Sequence, residues 1–455
     1  MAPPPNRVAI IGAGPAGFFT AEALLKQDVS VEIDIYDELP TPFGLVRYGV
    51  APDHAAIKSV TKVYEKLLKQ DEVRYLGNVE LGTDIHVEEL RDRYDQIVYA
   101  FGCQSDRSLG IPGEDLDGSW AATTFVGWYN GHPDYEEADF ELGSDHVVVV
   151  GNGNVAIDVA RILVLDREAL AKTDIADHAL ASLKTAKVTK VTLLGRRGPA
   201  QAAFTNPELK EFGRLEGVSP LVDPAQLKLD EATEAKVQED RGRTRNMATL
   251  REFAAKEPDS GSRVVHFDFF TSPVEILGQD GRVSGVCVER NELALDEDGT
   301  MRPRGTGETR VLECGMVLRS VGYRGEPVPG VPYEPKRGIV RNVEGRVVDE
   351  RGNVLRGEYV VGWAKRGPSG VIGTNKADAS GTVGLMMEDW EAGDVLTPAA
   401  GATDARQLLD ERDVQWIDEE GWARLDAFET DQGEADGRPR VKVCSVPEML
   451  KVIQR

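Results

Sequence analysis

The tract VAIIGAGPAGFFTAEALL at residues 8–25 limits the fold more than any other. An apolar run ends in a glycine-rich turn and passes straight into a helix-forming segment. The same order returns in VVVVGNGNVAIDVARIL at 147–163. Strand, turn and helix in that order open a βαβ unit, in which the helix carries the chain across to a second, parallel strand. Two such openings in one chain predict an α/β protein with two Rossmann-like dinucleotide-binding domains.

The spacing of the glycines carries the chemistry. Gly12, Gly14 and Gly17 fill G-x-G-x-x-G. The first glycine permits the tight turn, the second lets the backbone approach a pyrophosphate, and the third lets helix and strand pack closely. The helix N-terminus then offers unpaired N–H groups to phosphate. The following strand ends at Asp37, an acid placed to bind ribose hydroxyls. The second turn runs Gly151-Asn152-Gly153-Asn154-Val155-Ala156, with alanine in the third position, and its next strand ends in Gly195-Arg196-Arg197-Gly198 rather than in an acid. Two arginines at that place suit a 2′-phosphate, which asks for positive charge and planar donors. The alternative is a solvated pair in a surface turn. A hydride donor that must exchange and an electron store that must stay need separate cradles. The first is therefore expected to hold a flavin and the second NADPH.

The rest of the chain sorts around these turns. Strands are expected at 7–11, 31–36, 147–151 and 188–194, with short strand-like pieces around 73–81, an apolar run ending in glycine at 95–102, and helices at 15–27, about 55–70 and 154–165. Residues 208–258 read as polar and helical, and 263–321 as β-hairpins, HFDFFTSPVEI, RVSGVCVER and RVLECGMVLRSVGY. The stretch 358–390 returns to strand, glycine-rich loop and helix, in the character of the N-terminal unit. This predicts a discontinuous FAD-binding domain, 1–107 and 326–395, with an NADP-binding domain, 108–325, inserted into it. Helical segments at 404–412 and 418–430 and a last small unit at 440–453 make a C-terminal extension, 396–455, with no assigned chemistry.

Composition removes several classes. A net charge of −24 disfavours nucleic acid or an anionic membrane as the main partner. Cys103, Cys287, Cys314 and Cys444 lie far apart without C-x-x-C. That argues against a redox dithiol, a disulfide framework or a metal site, so no metal is expected. The start, MAPPPNRVAII, carries neither an apolar signal core nor an Arg-rich presequence, so a cytoplasmic location is expected.

Four tracts resemble the adrenodoxin reductase family, including its actinobacterial NADPH–ferredoxin reductases. They are LPTPFGLVRYGVAPDH (39–54), VVGNGNVAIDVARIL, LLGRRGPAQAAFTNPELKE (193–211) and VVGWAKRGPSGVIGTNKADA (360–379). The likeness runs in uninterrupted order from residue 7 to about 390. It implies hydride transfer from NADPH to non-covalent FAD, then single electrons to a [2Fe–2S] ferredoxin, often serving a cytochrome P450. The resemblance places Ala16, Asp37, Leu45 and Leu81 along the FAD, with Asp37 where the family often has Glu. Trp363 and Gly370-Val371-Ile372 fall beside the flavin ring; the alternative reading of Trp363 is a core aromatic. For NADPH it points to Asn152, Gly153, Asn154 and Val155 at the pyrophosphate, Arg196 and Arg197 at the 2′-phosphate, and Glu208 further along. His54 and Asp158 match a polar pair that relatives place near the flavin, here expected to tune or handle protons. A structural role is the other reading of His54.

Ferredoxins are typically acidic, so an acidic reductase needs a local basic face. RGRTR supplies Arg241, Arg243 and Arg245 where the family docks its ferredoxin, unless the run is only a solvated face. The family implies a monomer. Rival readings are a flavin monooxygenase or other NADPH-dependent flavoprotein acting on a small molecule, and a non-enzymatic dinucleotide redox sensor. A thioredoxin-reductase type lacks its dithiol here. The small subunit of glutamate synthase would need N-terminal cysteines, and the first cysteine is Cys103.

Overall fold

The strands expected at 7–11 and 147–151 each lie inside a sheet, with parallel neighbours on both sides. The computed structural model describes residues 4–296 and 301–454, and the chain divides into two compact units. The first takes in the chain up to Val50, His54–Ser105 and the chain from Gly322 onward; the second is Ala51–Asp53 with Asp106–Val321.

The first unit is built on a seven-stranded sheet. Its order is Asn342–Val343, Arg346–Val348, Val354–Val360, Gln96–Tyr99, Asn6–Ile11, Val31–Asp37, Val73–Gly77. The five strands from Val354–Val360 to Val73–Gly77 are parallel, and the two at the other edge are antiparallel. Parallel strands covered on both faces read as continuous apolar runs rather than alternating ones. Val8, Ala9 and Ile10 are accordingly fully buried. The helices Pro15–Leu24 and Thr374–Ala392 pack together over this sheet, contributing Phe18, Leu24, Val383 and Met386 to one core cluster. The helices Glu419–Asp436 and Val446–Ile453 add Trp422, Leu425 and Met449 to that cluster.

The second unit carries a six-stranded parallel sheet. Its order is Ser119–Ala121, Met316–Arg319, His146–Val150, Lys190–Gly195, Arg263–Phe269, Val218–Val222. Beside it lies an antiparallel three-stranded sheet, Thr271–Gln279, Arg282–Leu295 and Met301–Glu313.

Three expectations are corrected here. HFDFF is not half of a hairpin: Arg263–Phe269 is a parallel strand, and Phe270, at φ +55°, turns the chain at once into the other sheet. RVLECGMVLRSVGY is likewise split, with Met316–Arg319 returning to the parallel sheet between Ser119–Ala121 and His146–Val150. The polar helical stretch 208–258 holds the helices Asn206–Glu211, Glu231–Glu239 and Arg241–Ala254, but also the strand Val218–Val222.

Candidate dinucleotide sites

Sterics demand glycine at the turn of the first unit. Gly12 sits at φ +114°, and a Cβ there would lie 2.6 Å from the Ala100 carbonyl oxygen. A Cβ on Gly17 would fall 2.1 Å from the Gly12 carbonyl oxygen, so the helix crosses its own turn at a distance only glycine allows. A Cβ on Gly14 would meet nothing within 4 Å. The turn is thus closed against the protein at two glycines and open at the middle one. Gly14 is also the N-cap, with no side chain capping the helix, so the first-turn N–H groups point into that open side. Ala16 beside it is buried, and a Cβ on Gly362, at φ +69°, would lie 2.6 Å from the Ala16 Cβ. The chain around Trp363 is thereby pressed onto the first turn.

Asp37 supports the turn directly. One carboxylate oxygen accepts from the Ala13 N–H at 2.8 Å and the other from the Leu39 N–H at 3.1 Å. A carboxylate offers about four acceptor positions, so room remains for ribose hydroxyls. Burial pushes the carboxyl up to about 6, against the pull of the two N–H donors. The folded chain then holds this proton more tightly than the unfolded chain does, and Asp37 costs stability progressively as pH rises from about 4 to about 6. Apoprotein carrying Asp37→Asn should therefore lose less stability than wild type between pH 4 and 6 in urea titrations. An identical pH profile for the two would sink the assignment.

The other residues proposed for the flavin side lie in the same unit. Leu45 opens the short helix Leu45–Tyr48 and follows Gly44, where a Cβ would stand 3.1 Å from the Gly14 Cα. Leu81 packs with the cluster that holds Ile11, Tyr36 and Val79. Trp363 is half-buried rather than a core residue; its indole N–H donates to the Ser369 carbonyl at 3.2 Å, and Tyr323 lies 5.2 Å away, ring to ring. Gly370 has φ +83°, Val371 is 62% exposed, and Ile372 leans on the core. The helix Thr374–Ala392 follows without a side-chain cap.

The second turn repeats the steric argument with one change. Gly151 has φ +141°, and a Cβ there would lie 2.2 Å from the Ser320 carbonyl oxygen, whereas a Cβ on Gly153 would meet nothing within 4 Å. Ala156 takes the third position fully buried. The helix Asn154–Val164 has Gly153 as N-cap and no side-chain cap. The Asn152 carbonyl accepts from the Ala203 and Phe204 N–H groups, both at 3.1 Å. Asn154 Oδ1 accepts from the Thr205 N–H at 2.8 Å, and the Thr205 hydroxyl donates to Glu208 at 2.6 Å. Asn154, Thr205 and Glu208 therefore form one hydrogen-bonded chain at the helix start, with Val155 half-buried beside it.

Arg196 and Arg197 are fixed through their backbones, not their side chains. The Arg196 carbonyl accepts from Asn291 Nδ2 at 2.9 Å and the Arg197 carbonyl from the Phe270 N–H at 3.1 Å. Neither guanidinium meets a carboxylate among the described residues. Burial, then the neighbouring charges of Arg196 and Arg243, holds the Arg197 guanidinium below its ordinary value. Arg243 has Asp240 at 3.5 Å, but the Arg196–Arg197 pair meets no anion among the described residues, and a phosphate monoester would supply one. The open faces at Gly14 and Gly153 likewise fit a pyrophosphate.

Arg241, Arg243 and Arg245 occupy the first turns of the exposed start of the helix Arg241–Ala254. At about 100° per residue, Arg241 and Arg245 share a face and Arg243 stands about 200° round from Arg241. The run is thus two patches, with Arg243 electrostatically coupled to Arg197.

His54 belongs to the first unit and Asp158 to the second. His54 is half-buried at the start of the helix Ala55–Lys58. Asp158 accepts from Arg161 at 2.7 Å. The reading of the sequence missed Arg161. It is 1% exposed and also meets Asp53 through two bonds, at 2.8 and 3.0 Å, and Glu211 at 3.3 Å. Its only sequence signal was the i, i+3 spacing of Asp158 and Arg161 in VAIDVARIL.

Two strand–turn–helix cradles on two sheets, one of them followed by an arginine pair that meets no carboxylate among the described residues, define an oxidoreductase of the two-dinucleotide class. Residues 6–212 match the pyridine nucleotide-disulphide oxidoreductase family. The chain is 46% identical to the NADPH-ferredoxin reductase FprA of Mycobacterium leprae, over 98% of each protein. It is 43% identical to the mitochondrial NADPH:adrenodoxin oxidoreductase of Arabidopsis thaliana, over 98% of this chain and 95% of that one. A solved structure of Mycobacterium tuberculosis FprA in complex with NADPH matches with a TM-score of 0.94 at 45% identity, covering 99% of this chain and all of that one. The chain belongs to the family of NADPH-ferredoxin reductases and NADPH:adrenodoxin oxidoreductases.

Proposed function

We propose that this protein is an FAD-dependent NADPH:ferredoxin oxidoreductase whose partner is a [2Fe–2S] ferredoxin. The observation that carries the reading is the pair of turns with open middle glycines, of which the second leads to arginines that meet no carboxylate among the described residues. Bound FAD supplies an acceptor that takes a hydride from NADPH and gives the electrons up singly. The protein's own part is to hold, orient and polarise.

On this reading Gly12, Gly14, Ala16 and Gly17 bring backbone N–H groups to the FAD pyrophosphate, and Asp37 accepts from its ribose. Leu45, Leu81, Trp363 and Gly370–Ile372 line the flavin, and the N-terminus of the helix Thr374–Ala392 favours negative charge nearby. Asn152–Val155 hold the NADPH pyrophosphate, Arg196 and Arg197 its 2′-phosphate, and Glu208 orders the loop through Thr205. His54 and Asp158 tune or handle protons, with the Arg161 guanidinium keeping a positive charge beside Asp158. Residues 1–107 with 326–395 form the FAD-binding domain and 108–325 the NADP-binding domain. The protein works as a cytoplasmic monomer; no helix among the described residues is long and apolar enough to cross a membrane.

Docking of the ferredoxin is assigned to Arg241, Arg243 and Arg245, with Arg241 and Arg245 outermost on one helix face. Replacing those two by Gln should raise the KM for ferredoxin by about 3- to 10-fold at low salt and by less at high salt. Reduction of a small dye should fall far less. Equal loss with dye and ferredoxin would remove these residues from the interface.

The primary test is the visible spectrum, followed by cytochrome c reduction with NADPH or NADH, with and without a [2Fe–2S] ferredoxin. A yellow protein that prefers NADPH and is stimulated by ferredoxin supports the reading. Flavin without ferredoxin stimulation would point to a small-molecule acceptor. A colourless protein would point to a sensor.

A further inference from the structure

Residues 396–455 have no part in the function above, yet they hold the loop beside the first turn through buried contacts. Arg47, 5% exposed, forks Glu429 with donor distances of 2.9 and 2.6 Å, and Glu429 is fully buried. Glu429 also accepts from Arg440 at 3.1 Å and from the Val443 N–H at 2.9 Å. The Arg47 guanidinium lies 5.2 Å from the Tyr48 ring centroid and 5.5 Å from that of Trp422. Among the described residues its Nε has no partner, and both of its terminal nitrogens donate to Glu429 of the helix Glu419–Asp436.

Four residues upstream, the backbone is strained. Phe43 has φ +87°, a conformation that bulky L-residues adopt only when their surroundings impose it. Its N–H donates to the Ala13 carbonyl at 2.8 Å, and Gly44, next to it, packs so near Gly14 that a Cβ on it would lie 3.1 Å from the Gly14 Cα. Trp422 stands edge-on to the Phe43 ring at 5.5 Å. One helix, Glu419–Asp436, therefore grips the 39–50 loop at the strained corner and again at Arg47. A buried ion pair contributes little net stability compared with apolar packing of the same volume, but it fixes geometry because a misplaced charge is costly.

We propose that Arg47 and Glu429 are positioning residues for the flavin cradle: through them the C-terminal segment holds the Phe43–Gly44 corner against Gly14 and sets how slowly FAD leaves. The inference rests on the reading that the first turn holds FAD.

The test is the rate of flavin release from holoprotein, followed by the rise in flavin fluorescence, together with thermal midpoints of holo- and apoprotein. Glu429→Gln and Arg47→Met should each release FAD about 10-fold faster or more, the scale seen when an outer partner of a bound group is lost. The holoprotein midpoint should fall more than the apoprotein midpoint. Arg47→Met/Glu429→Leu removes both charges at similar volume, should fold, and should release FAD as fast as the single variants. Wild-type release from a folded double variant, or equal falls in both midpoints with unchanged release, would overturn the proposal. A wild-type protein that binds no flavin would overturn the functional reading and this inference with it.

Discussion

Replacing Arg196 and Arg197 together by Gln is expected to raise the KM for NADPH by about 100-fold or more, since each hydrogen bond to a charged group contributes roughly 1.5–3 kcal/mol. The KM for NADH should hardly move, because that coenzyme lacks the phosphate monoester. The fold should survive, as both residues are held through their carbonyls by Asn291 and Phe270, and those bonds do not depend on the side chain. Steady-state kinetics with both coenzymes decides the matter. A parallel loss with NADPH and NADH would mean that the arginines shape the turn rather than read the phosphate.

The second large effect concerns a residue that touches no proposed ligand. Arg161→Met leaves Asp53, Asp158 and Glu211 around a buried position without their shared cation. Removing one side of a buried ionic cluster costs about 3–5 kcal/mol, so the urea midpoint should fall steeply. Arg161→Lys should recover only part of that loss, because an ammonium cannot reproduce the two parallel bonds to Asp53. A loss below about 1 kcal/mol, the scale of an exposed pair, would show the cluster to be solvated.

The parts of the fold that could be read ahead were those where one residue type is sterically compulsory. Gly12, Gly17 and Gly151 each sit where a Cβ would collide with a carbonyl oxygen, and such positions announce themselves in any sequence. Val218–Val222 did not, because Pro220 stands in its middle and argues against a strand. The strand lies at the sheet edge, where a missing N–H is tolerated. Arg263–Phe269 resembles a hairpin arm in sequence because a single residue, Phe270, separates it from the antiparallel strand Thr271–Gln279. No turn signal fits in one position. Of the site, the glycines and the arginine pair were legible from local order. Arg161 and the bond between Arg47 and Glu429, 382 residues apart, were not, because a buried ion pair has no period.

The strand Val354–Val360 has a further consequence, for the order of events on the ribosome. It pairs with Gln96–Tyr99, but it is synthesised only after the whole second unit. Until then Gln96–Tyr99 is an unprotected sheet edge. Its polar side chains also wait: Gln96 for Tyr359 and the Met386 carbonyl, and Tyr99 for Glu358. At about 5–20 residues per second this exposure lasts on the order of ten seconds or more. Apart from Ala51–Asp53, which is made earlier, the second unit runs without a break from Asp106 to Val321 and faces no such delay. The nascent chain is therefore most vulnerable to misassembly in its first hundred residues, and a chaperone that shields one open β-edge would serve it best.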